Sequence, residues 1–210
     1  MLVSAIIPAY NEENTIANVI LPLTKIKEIN EVLVVSDGST DRTAEIARNL
    51  GVKVIESAIN MGKGGAMMLG LKEAQGDIIL FLDADLIGLT ENHIQQLLAP
   101  ILNGGTEMVI GIFEHGRLAT DLAQLVAPFL SGQRVVRKSL LERVDNLKMA
   151  RFGVELELTK YVAEHSIKYT EVVLKELSHV MKEEKLGLVK GLQARMKMYW
   201  EIAKSLSIDE

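Results

Sequence analysis

Ile78-Ile79-Leu80-Phe81-Leu82-Asp83-Ala84-Asp85 is an apolar run of strand length that ends in two carboxylates. Five consecutive apolar residues suit a strand buried on both faces, as in a parallel sheet covered by helices. Residues two apart in an extended chain project to the same side, so Asp83 and Asp85 can face one ligand. Two hard oxygen donors suit Mg²⁺ or Mn²⁺, which would bridge them to phosphate oxygens. The alternative is a polar strand end that caps the next helix.

Similar β-branched runs stand at residues 3–7, 32–35, 52–55 and 108–112. The segments between them have helical spacing. Thr40 or Asp41 can cap a helix through Ala44, Ile46 and Leu50, with Gly51 at its C-terminal end. Further helices are expected over about 65–75 and 91–102, the latter before Asn103-Gly104-Gly105. Strand–helix–strand repeats with short connections predict an α/β sandwich with a largely parallel sheet. In the second half strands thin out and helices lengthen, at 139–144, 154–165 and about 183–206. No Pro/Ser linker separates the halves. The chain reads as one domain, with residues 1–112 as a ligand-binding half and 113–210 as a helical elaboration built against the sheet.

Composition narrows the class. The 210 residues are 48% hydrophobic and 24% charged, which excludes a disordered or low-complexity chain. Lys plus Arg number 23 against 28 for Asp plus Glu, a net −5 that gives no general reason to bind nucleic acid. The absence of cysteine excludes disulfides, thiolate metal sites and a Cys nucleophile. No segment offers the roughly 20 apolar residues of a spanning helix, and the opening lacks a signal-peptide pattern. A soluble, cytoplasmic protein is expected.

In open α/β sheets ligands bind beyond the carboxyl ends of the strands, and four polar clusters follow strands here. They are Pro8-Ala9-Tyr10-Asn11-Glu12-Glu13, Ser36-Asp37-Gly38-Ser39-Thr40-Asp41, Asn60-Met61-Gly62-Lys63-Gly64-Gly65 and Asp83-Ala84-Asp85. One such loop is ordinary turn chemistry; four on one edge describe a site. The glycine-rich cluster opens a helix whose amides, with Lys63, could receive an anion, or it is only a flexible turn. It lacks the Gly-Lys-Ser/Thr of a P-loop, and no dinucleotide fingerprint follows the first strand. Asp37 can accept hydrogen bonds from a base or ribose, or hold its own loop as an Asx-turn.

Ser4-Ala5-Ile6-Ile7-Pro8-Ala9-Tyr10-Asn11-Glu12-Glu13, Val34-Val35-Ser36-Asp37-Gly38-Ser39-Thr40-Asp41-Arg42-Thr43, Asn60 with Gly62-Lys63-Gly64, and Asp83-Ala84-Asp85 together resemble a GT-A glycosyltransferase of the family 2 type. The resemblance covers residues 3 to about 112. It implies the GT-A (nucleotide-diphospho-sugar transferase) fold and transfer of a sugar from a nucleotide diphosphate donor to an acceptor. It further implies that Pro8, Ala9, Glu12 and Asp37 cradle nucleobase and ribose, and that Lys63 contacts the base or diphosphate. Asp83 would touch ribose or sugar, and Asp85 would bind the metal. Phe129-Leu130-Ser131-Gly132-Gln133-Arg134 and Phe152-Gly153-Val154-Glu155 resemble acceptor-side blocks of glucosyl-3-phosphoglycerate synthases. That implies UDP-glucose as donor and a small phosphorylated acceptor such as 3-phosphoglycerate. Gly132 and Arg134 would then grip phosphates, Glu155 would contact the sugar and His179 would join the metal.

Polyprenyl-phosphate sugar transferases share the first half, but their His-Pro-Pro-Glu run is replaced by Leu86-Ile87-Gly88-Leu89-Thr90-Glu91. A non-catalytic relative that binds nucleotide sugar is the other alternative; the intact Asp83, Asp85 and Lys63 favour an enzyme. An inverting enzyme would need a carboxylate base, with Glu155 and Asp121 as candidates. A retaining one would use Glu155 to position the sugar. The tail carries Val189, Leu192, Met196, Tyr199, Ala203 and Leu206 as one apolar stripe, with six basic and three acidic residues over 181–204. Packing on the domain or a homodimer through this helix is expected, ahead of membrane contact.

Overall fold

The computed structural model describes residues 1–114, 131–144 and 154–179. Asp121, the segment before Ser131, Phe152-Gly153 and the C-terminal helix expected at 183–206 lie outside the described residues. The chain divides into two compact units, Met1–Ser178 and His179–Glu210.

The first unit begins with β1 (Val3–Ala9), α1 (Ile16–Leu23), β2 (Ile29–Asp37), α2 (Thr43–Asn49), β3 (Lys53–Ser57), α3 (Gly62–Glu73) and β4 (Ile78–Phe81). Next come β5 (Leu86–Ile87), α4 (Glu91–Leu102), β6 (Met108–Phe113), β7 (Arg134–Arg137), α5 (Lys138–Leu141), α6 (Val154–Glu164), β8 (Tyr169–Leu174) and β9 (Ser178–His179). Seven strands form one sheet in the order β3-β2-β1-β4-β7-β6-β8; β5 and β9 form a two-stranded ribbon. Strands β1 to β4 run parallel, and β7 is antiparallel to both its neighbours.

Alternation along the strands makes two cores. Ala5, Ile7, Val34 and Leu80 face one side, where α1 and α4 contribute Ile16, Val19, Ile20, Ile94 and Leu97. Ile6, Leu33, Val35, Ile79 and Phe81 face the other, against Ala66 and Met67 of α3 and Val154, Leu158 and Val162 of α6. Helix α3 lies close to the sheet because Gly70 has no side chain; a Cβ there would stand 2.5 Å from Ile6 Cγ2. The mostly parallel sheet between helices is the architecture expected. Among the described residues no helix is long and apolar enough to cross a membrane.

Three differences from the sequence reading matter for the site. Pro8 and Ala9 are not in a loop; they end β1 and pair with Val35 and Ser36. Helix α3 starts at Gly62 rather than near 65, so Lys63 rides on its first turn. Strands are fewer among the described residues of the second half, as expected, but two of them that the sequence reading did not name belong to the main sheet. Arg134-Val135-Val136-Arg137 runs through the sheet between β4 and β6, hidden from a hydropathy reading by an arginine at each end. Edge strand β8 is equally hidden, because its residues are mostly exposed or half-buried.

Candidate active site

The polar clusters gather at the carboxyl edge of the parallel strands and are tied to one another. Asn11 takes a left-handed conformation, φ 55°, and its Oδ1 accepts from the Thr40 N–H at 2.8 Å. The Glu12 N–H donates to Thr43 Oγ1 at 2.8 Å, and the Glu13 N–H to Asp41 Oδ2 at 3.0 Å. The Glu12 carboxylate accepts from the Thr15 hydroxyl at 3.1 Å. Asp41 also accepts from the Thr43 N–H at 3.0 Å and the Thr43 hydroxyl at 2.5 Å, an Asx-type turn at the entry to α2. Burial weighs against its charge, but the hydrogen bonds to Thr43 and Glu13 prevail and hold its carboxyl below the usual range.

Asp37 is buried at the end of β2, and its Oδ1 accepts from the Met61 N–H at 2.8 Å. The Asn60 side-chain amide donates to the Asp37 carbonyl at 3.1 Å. Gly38 between them has φ +71°, and a Cβ there would stand 2.8 Å from Asn60 N. This turn therefore fixes the entry to α3 and, with it, the position of Lys63.

Lys63 reaches two carboxylates at once. Its Nζ lies 2.5 Å from Asp83 Oδ1 and 2.7 Å from Glu155 Oε1, the latter on the first turn of α6. Burial disfavours the ammonium, yet the fields of Asp83 and Glu155 outweigh it and raise its pKa above the ordinary lysine value. Lys63 is thus a fixed positive charge on the site floor. Ala84 turns into the core between Asp83 and Asp85, consistent with both acids facing the same way. One potential ligand atom each from Asp83, Asp85 and His179 lies within 4.8 Å of the others. Two carboxylates and an imidazole suit a divalent cation of the Mg²⁺ or Mn²⁺ kind.

Gly132 sits where a Cβ would run into the Asp83 carboxylate and Lys63 Nζ, so the backbone itself closes this side of the site. Arg134 lies behind that surface. It is fully buried, donates from Nε to the Ser131 carbonyl at 2.8 Å, and bonds Thr159 Oγ1 at 2.7 Å from Nη1. Burial pushes its pKa down to about 10, opposed by the charge of Glu155, so it stays protonated at neutral pH. In this structure Arg134 braces the site from within through Ser131 and Thr159; the phosphate-gripping role that the resemblance implies for it stands as a proposal. Gln133 is the site residue that sequence reasoning passed over. Its Nε2 donates to Asp83 Oδ2 at 2.9 Å, and only its place beside Gly132 hinted at this.

The glycosyl transferase family 2 model matches residues 4–155. The chain belongs to this family. It is a glycosyltransferase of the GT-A type, acting on a nucleotide sugar, as the four motif blocks imply. The uncharacterized protein MJ1222 of Methanocaldococcus jannaschii is 29% identical over 199 residues, covering 82% of this chain and 80% of that one. Glucosyl-3-phosphoglycerate synthase of Mycobacterium tuberculosis is 32% identical over 130 residues, 57% of this chain but only 40% of the synthase. The match therefore spans less than half of that relative's length. A crystal structure of that synthase with Mn²⁺ and UDP-glucose superposes with a TM-score of 0.77 at 26% identity, covering 97% of this glycosyltransferase and 77% of the synthase.

Proposed function

We propose that this glycosyltransferase moves glucose from UDP-glucose to a small phosphorylated acid of the 3-phosphoglycerate type, with Mg²⁺ or Mn²⁺ at Asp83, Asp85 and His179. The observation that carries the reading is Lys63 bridging Asp83 and Glu155 beside a cluster suited to a divalent cation. The mycobacterial synthase, with its Mn²⁺, UDP-glucose and phosphoglyceric acid complex at 26% identity, supports the choice of donor and acceptor.

The roles follow from chemistry. The cation, when bound, supplies positive charge to the departing diphosphate. Lys63 adds a second fixed charge that needs no reorganisation as the glycosidic bond breaks. Asp83 receives hydroxyls of ribose or sugar, and Glu155, held at its carboxylate by Lys63, orients the sugar. Pro8, Ala9, Glu12 and Asp37 line the base and ribose end, with Asp37 acting by fixing the loop at Met61. Gly132 lets the backbone lie against Asp83 and Lys63 and so keeps both charges in place beside the phosphates that it and Arg134 would grip.

The test is thermal stability with UDP, GDP, UDP-glucose and GDP-mannose, each with and without Mn²⁺, on wild type and Asp85→Ala. A ligand at 100 times its Kd stabilises by about 2.7 kcal/mol. A Mn²⁺-dependent shift with the uridine nucleotides alone, absent in Asp85→Ala, supports the reading; no shift with any nucleotide sinks it. Product formation with 3-phosphoglycerate then tests the acceptor.

A lipid-phosphate acceptor is the second reading. It is favoured by the dolichyl-phosphate beta-glucosyltransferase of Trichomonas vaginalis, 35% identical over 129 residues, 52% of this chain and 38% of that protein. Transfer to a polyprenyl phosphate in detergent, with none to 3-phosphoglycerate, would select it. The proposal extends to a cytoplasmic homodimer held through the C-terminal apolar stripe, on sequence spacing alone; sedimentation of wild type and Leu192→Glu tests the dimer.

A further inference from the structure

Gln133 is fully buried immediately before β7, and its side chain points at a carboxylate rather than at the core. A buried amide is costly unless its hydrogen bonds are made, and an apolar side chain of the same length would fill the space without that cost. The amide donates to Asp83 Oδ2 at 2.9 Å, while Lys63 holds Oδ1 of the same carboxylate at 2.5 Å. A carboxylate held through both oxygens, from two different elements, has its plane fixed.

The segment that carries Gln133 is itself held from two sides. On the β6 side, Ser131 Oγ lies 2.5 Å from the Gly111 carbonyl oxygen and 3.2 Å from Gln133 Oε1, and the Gly111 N–H donates to the Gln133 carbonyl at 2.8 Å. On the α6 side, Arg134 bonds the Ser131 carbonyl and Thr159, whose hydroxyl donates to the Glu155 carbonyl at 2.7 Å. Gly132 lets the backbone between them press against Asp83 and Lys63. Gln133 is fully buried and bonded at both ends of its amide, so its donor is aimed at Asp83.

We infer that Gln133 is a positioning residue that sets the orientation of Asp83 toward the sugar nucleotide, and through it the affinity of the site for donor and cation together. Groups that hydrogen-bond a ligating or binding side chain typically change affinity or activity about 10–100-fold when removed. The inference rests on the proposed donor chemistry.

The experiment is a double-mutant cycle between Gln133→Met and Asp83→Asn, read as UDP-glucose affinity in Mn²⁺ by calorimetry, with urea unfolding of each variant alongside. Gln133→Met is expected to weaken binding about 10-fold, and to add less than about 2-fold in the Asp83→Asn background, since it acts through Asp83. Gln133→Glu keeps the length but turns a donor toward Asp83 into an acceptor; it is expected to weaken binding more than Gln133→Met, and it carries the test should Gln133→Met unfold. Unchanged affinity in the Gln133 variants, or the same loss in both Asp83 backgrounds, overturns the inference alone. A folded wild type that binds no nucleotide sugar overturns the donor reading, and this inference with it.

Discussion

Lys63 and Glu155 form an ion pair at 2.7 Å that joins the first turn of α3 to the first turn of α6 across the carboxyl edge of the sheet. Each residue needs the other in place. The ammonium is shared between Asp83 and Glu155, and the buried Glu155 carboxylate has this cation to offset its loss of water. Lys63→Met removes the charge and keeps most of the packing. Sugar transfer from UDP-glucose is expected to fall about 100-fold or more, the effect of losing one preorganised electrostatic stabiliser. Lys63→Arg should not restore it, because a planar fork cannot replace a point charge shared by two carboxylates. Transfer rate at saturating donor, with the unfolding midpoint as control, checks both.

Asp85→Ala should separate cation binding from folding. Asp85 is half-buried at the turn after β4, outside the strand ladder, so the unfolding midpoint without ligand should stay close to wild type. The stabilisation by UDP that appears on adding Mn²⁺ should vanish in the variant. In wild type, chelation by EDTA should remove the same increment. A full Mn²⁺-dependent shift in Asp85→Ala would place the cation elsewhere.

How much of this was legible in the sequence follows from where the signals are local. The strand runs and the polar clusters after them announce β1 to β4 and their shared edge, because alternation and turn chemistry are properties of neighbouring residues. Strand β7 was not legible. Val135 and Val136 are too few to make a hydropathy signal, and Arg134 reads as exposed until Ser131 and Thr159 are seen to satisfy it. For the same reason the inward bonds of Arg134 and the contact from Gln133 to Asp83 could not be foreseen. Both act through partners distant in sequence, and no spacing rule reports those. Lys63 was legible as a cation at the start of a helix but not as the bridge to Glu155, since that contact depends on how α3 and α6 meet the sheet.

Gly132→Ala is predicted to damage activity far more than stability. The added methyl would overlap the Asp83 carboxylate and Lys63 Nζ, both able to give way, so the fold should lose no more than the roughly 1–3 kcal/mol typical of overpacking. Their displacement, however, disorders the charges that face the donor in the proposed site. Donor affinity and transfer rate should each fall about 10-fold or more, since removing such preorganised contacts acts on the reacting groups directly. Near-wild-type transfer would show that the Ser131–Arg134 segment stands away from the reacting groups.

Asp41→Ala tests the coupling of the loops after β1 and β2, and it carries a pH dependence whose sign is fixed. The folded-state pKa of Asp41 is depressed, with burial outweighed by the hydrogen bonds to Thr43 and Glu13. Its stabilisation is therefore fully present above the unfolded carboxylate range, about pH 4, and is lost as pH falls through the lower folded value. Wild type should exceed Asp41→Ala by about 1 kcal/mol at pH 7, the usual net worth of an intramolecular hydrogen bond. That gap should close in acid, as read by urea unfolding at a series of pH values. The same substitution frees the Glu13 N–H and loosens Thr43, whose hydroxyl takes the Glu12 N–H. Donor affinity should therefore fall modestly, because Glu12 belongs to the ribose end of the proposed site. A stability gap that stays constant from pH 7 into acid would mean that Asp41 acts by packing rather than by charge.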